Sequence, residues 1–174
     1  MTRIPKKDSQ SVTPEGTPVK PLIHGVRIRP ATTHPDDRGY LCEVYNPAWG
    51  LHEAPLVYVY SAMIRPNKIK GWVVHRLQDD RLFVISGTIR FVLYDDRPES
   101  PTYKMVSEIF ISQDNRSIVV VPQGVFHALQ NVGSTDAVFI NMPTRPYDHA
   151  NPDKHRLPIN NDLIPYRFQE GSGG

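Results

Sequence analysis

Short runs rich in Val, Ile, Phe and Tyr recur along the chain, and turn-forming residues separate one run from the next. Such runs are typical of β-strands, because β-branched and aromatic side chains pack well on a pleated surface. We find no helical periodicity longer than about two turns. The pattern predicts strands at residues 26–28, 40–45, 56–63, 71–75, 82–85, 88–94, 106–111, 117–121, 126–130 and 137–142.

The turns between these runs indicate how the strands are connected. Ser86-Gly87 separates two of them so closely that residues 82–94 are expected to form a tight β-hairpin. Seventeen prolines and eleven glycines agree with many chain reversals and leave little room for long helices. Short strands that no helix covers are expected to close on themselves, since closure removes unpaired sheet edges. The sequence therefore predicts an all-β barrel or jelly roll with short flanking segments.

The two ends of the chain differ from this middle part. Residues 1–22 are polar and residues 169–174 read QEGSGG, so neither end has enough apolar surface to offset the entropy lost on ordering. We expect a flexible N-terminal arm at 1–22, one barrel domain at 23–168, and a disordered tail or a remnant of cloning at 169–174. A chain of 174 residues is long enough for one domain to bury a core without disulfides or metals.

Charge and cysteine content narrow the classes of partner. The formal net charge is only +2, from 20 basic and 18 acidic residues of interspersed sign, which argues against nucleic acid but not against a small anionic ligand. No run of eighteen apolar residues is present, so no membrane span is expected. Cys42 is the single cysteine, and the first residues lack the apolar core of a signal peptide. We therefore expect a cytoplasmic protein.

Two segments carry candidate chemistry. Side chains alternate between the faces of a strand, so Val73 and His75 are expected to point to the same side. Proline and glycine permit a sharp reversal before the strand that carries His127. The two histidines are then expected to face one pocket inside the barrel. The first segment is Gly71-Trp72-Val73-Val74-His75, followed by Asp80 and Gly87; the second is Pro122-Gln123-Gly124-Val125-Phe126-His127, followed by Asn131.

These segments resemble the paired signatures of the cupins, whose fold is a jelly-roll barrel. The second segment fits its signature, Pro-x-Gly-x-x-His-x-x-x-Asn, at every defined position. The first keeps the spacing of its signature, but Val73 replaces a histidine and Asp80 is shorter than the usual glutamate. Cupin metal sites use these positions, so a metal here would bind His75, His127 and Asp80. We expect no metal or other cofactor, and we expect Asp80, in the charged run Asp79-Asp80-Arg81, to be a solvated turn residue.

A second resemblance is carried by the order and spacing of short motifs between residues 23 and 168. The motifs are Asp36-Asp37-Arg38-Gly39-Tyr40 with Glu43, Lys70-Gly71, Tyr94-Asp95-Asp96-Arg97 with Ser100-Pro101-Thr102, Ser112-Gln113-Asp114-Asn115-Arg116, Val121-Pro122-x-Gly124-x-x-His127, and Tyr147-Asp148-His149 through Asn160 and Pro165. They resemble those of the dTDP-4-dehydrorhamnose 3,5-epimerase family, cupins that act on 4-keto sugar nucleotides. The resemblance implies an isomerase of carbohydrate biosynthesis, a nucleotide-sugar ligand and a homodimer that exchanges N-terminal strands.

The resemblance also implies roles for the residues that would hold the nucleotide. Arg38 and Glu43 match positions that contact the nucleotide, often from the partner subunit. Lys70 matches a basic residue that contacts the diphosphate, and His127 matches a histidine of similar role. Lysine would bind phosphate as a point charge, since it lacks the bidentate fork of arginine. Alternatively, Arg38 and Lys70 are ordinary surface cations and Glu43 is their ion-pair partner.

The family's catalytic residues match this chain less well. Epimerisation beside a ketone needs a base that removes a carbon-bound proton and an acid that returns one. The resemblance puts Val73 where the family has its basic histidine and Asn141 at or near its acidic tyrosine, and the family's C-terminal aspartate has no counterpart. His75, about 6–7 Å further along the same face, is our candidate base and would require a shifted substrate. The candidate acids are Tyr60 and Tyr147, and the candidate substrate contact beside them is Tyr58.

Three functions remain open on these residues. The first is an epimerase or isomerase that uses His75 and a tyrosine on a dTDP-4-keto-6-deoxyhexose or a similar nucleotide sugar. The second is a non-catalytic cupin that binds a nucleotide sugar or a pathway enzyme, which agrees with nucleotide-holding residues beside a missing base. The third is a metal-dependent cupin enzyme built on His75, His127 and Asp80.

Overall fold

The structure is a computed structural model that describes residues 7–16 and 18–168. These residues form strands joined by loops and one 3₁₀ turn, Pro47–Trp49, and contain no α-helix. Asn46 caps that turn, since its side chain accepts a hydrogen bond from the Ala48 N–H. The strands are β1 Arg27–Pro30, β2 Thr33–Asp36, β3 Gly39–Cys42, β4 Tyr60–Ile64, β5 Ile69–Val74, β6 Asp80–Ser86, β7 Thr88–Asp95, β8 Val106–Ser112, β9 Ser117–Val121, β10 Val125–Asn131, β11 Ala137–Asn141 and β12 His155–Arg156.

Ten of these strands form two five-stranded antiparallel sheets. The first sheet has the order β1-β9-β6-β11-β4 and the second has the order β12-β5-β10-β7-β8. The other two strands, β2 and β3, form a separate hairpin. The chain crosses repeatedly from one sheet to the other, which is the connectivity of a jelly roll. The all-β jelly-roll prediction is confirmed, although the strand pattern missed β2 and β12.

The predicted hairpin at residues 82–94 is wrong. β6 pairs with β9 and β11 in one sheet, whereas β7 pairs with β10 and β8 in the other. Gly87 turns the chain between the sheets with a φ of 78°. A Cβ atom at this position would lie 2.7 Å from the Ala137 Cα atom, so the close approach requires glycine. Ser86-Gly87 does mark a sharp turn, but the local pattern does not record which strands lie beside it.

Alternation along β5 separates the interior of the sandwich from its outer face. Trp72 and Val74 pack outward into an apolar cluster that includes Ile164 from the C-terminal segment. Val73 and the residue just after the strand, His75, face inward and line a cavity between the sheets. The apolar core beside that cavity takes side chains from both sheets. The two faces of this single strand therefore serve packing on one side and a polar site on the other.

A fully buried arginine ties together the loops near the start of β6. Arg81 is 0% exposed and donates five hydrogen bonds to neutral acceptors, which keeps its charge fully hydrogen-bonded in the interior. These bonds hold the loop after β11 and the segment before β4 in place. The acceptors are the carbonyl oxygens of Met142 at 2.7 Å, Ala54 at 3.0 Å, Pro55 at 2.9 Å and Pro143 at 3.3 Å, and the Tyr45 hydroxyl at 3.0 Å.

The N-terminal residues that the structure describes lie along the second sheet. Val12 forms an isolated bridge with Pro18, and Lys20 and Leu22 line a groove beside β8. Ile23, at the start of the predicted barrel domain, is buried in the core. The parts of the expected arm and tail at residues 1–6, 17 and 169–174 lie outside the described residues. Within the described chain, no helix is long and apolar enough to cross a membrane.

Candidate functional site

A cavity of about 420 Å³ opens between the two sheets and receives side chains from both. Leu82, Leu129 and Phe139 supply apolar lining. A concave site with an apolar wall and a few convergent polar groups is typical of small-molecule binding. The charged and hydrogen-bonding side chains that line it include Tyr60, Lys70, His75, Asp80, His127, Asn141, Lys154 and Arg156.

A buried carboxylate lies between the two histidines at the centre of this cavity. Asp80 Oδ2 is 3.2 Å from His75 Nε2 and 3.4 Å from His127 Nε2. The ring centroids of the two imidazoles are 5.6 Å apart. Asp80 is only 3% exposed, so its expected place in a solvated turn is wrong. It begins β6, and the pairing of that strand with β9 carries it into the interior.

The surroundings of His75 fix where its protons lie. The Nδ1 atom contacts the carbonyl oxygen of Asp153, and because a carbonyl only accepts, Nδ1 carries a proton. The Nε2 atom is therefore the nitrogen at which this imidazole gains or loses its second proton. Burial lowers the pKa of His75, but contact with Asp80 and the Asp153 carbonyl outweighs burial and raises it overall.

The same contacts act in the opposite direction on the carboxylate. Burial raises the pKa of Asp80, but the adjacent imidazoles of His127 and His75 outweigh burial and hold it well below the usual range. Asp80 is therefore ionised at neutral pH, and its charge favours the protonated form of its neighbour His75. A strongly perturbed buried pair in a cleft is a candidate for proton-transfer chemistry.

Lys70 reaches the cavity because β5 is irregular. In the pairing of β5 with β10, Val73 is opposite His127 whereas Lys70 is opposite Leu129, so one extra residue is inserted between them. This bulge gives Lys70 and Val73 the same face despite their odd spacing. Gly71 lies inside the bulge with a φ of 150°, and a Cβ atom there would be 2.6 Å from the Ala128 Cα atom.

Tyr60 lies directly across from Asn141 in the wall of the larger cavity. Tyr60 on β4 and Asn141 on β11 are paired in register, so their side chains project from the same face. The Asn141 Nδ2 atom donates to the Tyr60 hydroxyl oxygen at 2.9 Å. Burial, and then the charge of Asp80, raise the pKa of Tyr60. Tyr60 therefore keeps its proton at neutral pH.

The other two candidate tyrosines line a second, smaller cavity. This cavity of about 180 Å³ includes Tyr58 and Tyr147 and shares Tyr60, His75 and Lys154 with the larger one. The rings of Tyr58 and Tyr60 are 5.6 Å apart, although Tyr58 precedes β4. Tyr147 is 41% exposed, in the loop after β11. Tyr147 therefore lies at the surface of the site, whereas Tyr60 lies at its interior wall.

Arg38 and Glu43 do not line either cavity of their own chain. Arg38 lies in the turn between β2 and β3, its side chain is 83% exposed, and it pairs with Asp36 at 2.5 Å. Glu43 follows β3 and is exposed, with Asn46 Nδ2 at 3.4 Å from its carboxylate. Their separation from the cavity arises because the hairpin of β2 and β3 is a separate two-stranded sheet.

The set named for a metal is brought together. His75, Asp80 and His127 offer three ligand atoms that lie within 4.8 Å of one another. A tetrahedral zinc site with bonds of about 2.0–2.1 Å has ligand atoms about 3.3 Å apart, close to the separations between Asp80 and the two imidazoles. The donor types and these two separations therefore fit a three-ligand metal site, and the ligand nitrogens of the two imidazoles lie within 4.8 Å of each other.

Sequence reasoning missed the contribution of the segment before β12. Asp153 accepts hydrogen bonds from the Arg76 and Leu77 N–H groups through its carboxylate, and its carbonyl contacts His75. Lys154 and Arg156 line the larger cavity. This segment is irregular and polar, so it carries no periodic signal, and only the pairing of β12 with β5 brings it to the site.

Comparison with known proteins agrees with this fold. The sequence profile of the dTDP-4-dehydrorhamnose 3,5-epimerase family matches residues 20–163. The probable low-salt glycan biosynthesis epimerase Agl13 of Haloferax volcanii is 33% identical over 139 residues, covering 79% of this chain and 89% of that protein. The spore coat polysaccharide biosynthesis protein SpsL of Bacillus subtilis is 30% identical over 147 residues, covering 84% and 97% respectively.

Solved structures share the fold at lower sequence identity. A dTDP sugar isomerase from Desulfovibrio desulfuricans superposes with a TM-score of 0.78 at 23% identity, covering 83% of this chain and 91% of that one. A dTDP-4-dehydrorhamnose 3,5-epimerase from Bacillus anthracis, solved with TDP and PPi bound, gives 0.75 at 20% identity, covering 88% and 90%. Together with the match over residues 20–163, these findings identify the chain as a member of the dTDP-4-dehydrorhamnose 3,5-epimerase family.

Proposed function

We propose that this protein is a nucleotide-sugar epimerase that acts on a dTDP-4-keto-6-deoxyhexose or a similar compound with non-standard catalytic residues. The observation that carries the proposal is a buried imidazole, His75, that lines the same cavity as a protonated hydroxyl, Tyr60. A ketone acidifies the hydrogens on its neighbouring carbons, so a base and an acid on two sides of the ring suffice to invert such a centre.

His75 is the proposed base. Its Nδ1–H is committed to the Asp153 carbonyl, so the neutral ring, which is present above its raised pKa, takes the carbon-bound proton at Nε2. Asp80 lies 3.2 Å from that nitrogen and stabilises the imidazolium that forms. Val73, at the family position of the base, has an isopropyl side chain and takes no proton, so the sugar is shifted toward His75. Asp80 is a positioning residue in this scheme.

Tyr60 is the proposed acid. Its hydroxyl oxygen accepts a hydrogen bond from Asn141, so its own proton is free to be donated to the ring carbon. Its raised pKa keeps the hydroxyl protonated until it is needed. Tyr147, which lines the adjoining cavity with Tyr58, is the second candidate for this role. Lys70 and His127 are proposed to bind the diphosphate.

Solvent exchange tests the proposal directly. The protein is incubated in D₂O with dTDP-4-keto-6-deoxyglucose, and deuterium at C3 and C5 is followed by NMR and mass spectrometry. We expect exchange in the wild type, a loss of at least about 100-fold in His75→Gln, in line with the contribution of a general base, and a smaller loss in Tyr60→Phe. The matched controls are His24→Gln and Tyr103→Phe, which change residues outside both cavities.

Two results would contradict parts of this proposal, namely the role of His75 or the catalytic activity itself. Exchange at the wild-type rate in His75→Gln would remove His75 from the mechanism. Tight binding of dTDP-sugars without any exchange would favour the non-catalytic nucleotide-sugar binder. The Bacillus anthracis relative was solved with TDP and PPi, and a further relative, ChmJ of Streptomyces bikiniensis, was solved with dTDP-quinovose, so these ligands are suitable probes of binding.

A metal-dependent enzyme is the second candidate function, because three potential ligands converge in the cavity. His75, Asp80 and His127 would hold the ion, which would supply Lewis-acid polarisation of a bound carbonyl. Elemental analysis of protein purified without chelator separates the two candidates. A stoichiometric metal whose removal by chelator abolishes exchange would favour this candidate, and full exchange by chelator-treated protein would exclude it.

We also infer a cytoplasmic homodimer. Arg38 and Glu43 do not line the cavity of their own chain, whereas the family resemblance gives both a role in nucleotide binding, often from the partner subunit. A homodimer in which Arg38 and Glu43 of one subunit reach the cavity of the other would reconcile these two observations. Analytical ultracentrifugation tests the dimer, and a monomer at micromolar concentration that retains full exchange would contradict it.

A further inference from the structure

Asn141 has an unsatisfied hydrogen-bonding atom in the wall of the larger cavity. The residue is 2% exposed and lines the cavity. Its Nδ2 atom donates to the Tyr60 hydroxyl, but its Oδ1 atom has no hydrogen-bond partner among the described residues. A buried acceptor without a partner is unfavourable, and such atoms in folded proteins call for an explanation.

A second buried asparagine shows what a structural amide in this fold looks like. Asn131 is 0% exposed, and its Nδ2 atom donates to the carbonyl oxygens of Ile64 and Thr135. Its Oδ1 atom accepts from the Gly133 N–H. Every part of that amide has a partner within the chain. Asn141 differs because only the donor end of its amide is used.

None of the described side chains beside Asn141 donates to its oxygen. Its cross-strand neighbours are Tyr60 on β4, which already accepts from Nδ2, and Leu82 on β6, which has no polar side chain. Phe139, two residues earlier on the same face, is also apolar. In the structure the Nδ2 end of the amide faces the Tyr60 hydroxyl, so the oxygen is the end that remains for a ligand.

We propose that Asn141 Oδ1 accepts a hydrogen bond from a ring hydroxyl of the sugar and thereby selects nucleotide sugars that carry this hydroxyl. The proposal rests on the proposed nucleotide-sugar function and names the group that the site recognises. Ketone and phosphate oxygens only accept hydrogen bonds, so neither satisfies this atom, whereas a sugar hydroxyl donates. The contact orients the ring with its hydroxyl toward Asn141 and beside the proton of Tyr60.

Ligand analogues without a ketone test recognition separately from turnover. Isothermal titration compares dTDP, dTDP-6-deoxyglucose and its 2-deoxy and 3-deoxy analogues on the wild type. We expect one deoxy analogue to bind about 10- to 100-fold more weakly than the parent sugar, because it leaves the buried oxygen unpaired. On Asn141→Ala this difference is expected to fall below about 3-fold. Tyr103→Phe, which changes a residue outside both cavities, is expected to retain it.

The outcomes are distinguishable from one another. Equal affinity of the wild type for all three sugars would overturn the inference even if Asn141→Ala failed to fold. A loss in Asn141→Ala that is as large for dTDP as for the sugars would assign the contact to the nucleotide and overturn it as well. Failure of every sugar to bind would overturn the proposed function together with this inference. Selective binding without D₂O exchange would remove the epimerase activity and leave the inference standing.

Discussion

Replacing Asp80 with asparagine tests whether a charge lies at the centre of the site. The substitution keeps the size and shape of the side chain but removes the carboxylate that lies 3.2 Å and 3.4 Å from two imidazole nitrogens. In the variant, the charge of Asp80 no longer opposes the effect of burial, so the pKa of His75 is expected to fall. Both the stability of the protein and its dependence on pH should change.

The expected loss of unfolding free energy follows from the burial of the Asp80–His75 pair. Asp80 is 3% exposed, and removing one partner of a buried ion pair typically costs about 3–5 kcal/mol of unfolding free energy. The raised pKa of His75 means that its contribution is fully present below about pH 6.5, the ordinary value for histidine, and is lost as the pH rises through the folded value. The lowered pKa of Asp80 means that its own contribution is present above the ordinary value of 3.8 and is lost only in acid.

Urea-induced unfolding of the wild type and Asp80→Asn at pH 5.5 and pH 9 measures this difference. We expect destabilisation of about 3–5 kcal/mol at pH 5.5 and a clearly smaller value at pH 9, with equal m-values. A chelator is present throughout, so that a bound metal does not contribute. The control is Asp136→Asn at an exposed carboxylate. The same difference at both pH values, or a larger one at pH 9, would refute the protonated pair.

Three further predictions address the buried arginine, the bulge and the subunit arrangement. Arg81→Met is expected to lower the unfolding free energy by at least about 3 kcal/mol, because several acceptors lose their donor. Calorimetry should show a fall in Tm of about 6–12 °C. An unchanged Tm would contradict the role of Arg81 in holding these loops in place. Gly71→Ala is expected to lower the unfolding free energy of the protein by about 1–3 kcal/mol, because the added methyl group would collide with Ala128. Urea unfolding measures this change, and an unaltered midpoint would argue against the close approach of Gly71 to Ala128. Arg38→Ala and His75→Gln chains, each inactive alone, should together recover about a quarter of wild-type deuterium exchange if each site draws residues from both subunits. About half of the mixed dimers contain one chain of each kind, and each of these has one intact site of two. No recovery would mean that Arg38 serves the site of its own chain.

The sequence by itself determined the fold class and the direction of the two histidines. Alternating strand patterns predict which side chains share a face, because the period of two is a local property of the backbone. For this reason His75 and His127 were placed in one pocket, and the structure has both in the same cavity. The order and spacing of the short motifs between residues 23 and 168 likewise led to the family that residues 20–163 match.

Only the tertiary structure decided which strands lie beside one another. The turn at Ser86-Gly87 is visible locally, yet it joins two sheets rather than two paired strands. Asp80 reads as a solvated residue in a charged run, but the pairing of β6 with β9 buries it between the histidines. The pairing of Tyr60 with Asn141 joins residues distant in sequence. Local composition records the face of a side chain, whereas the partner across the sheet depends on the free energy of the whole packed core.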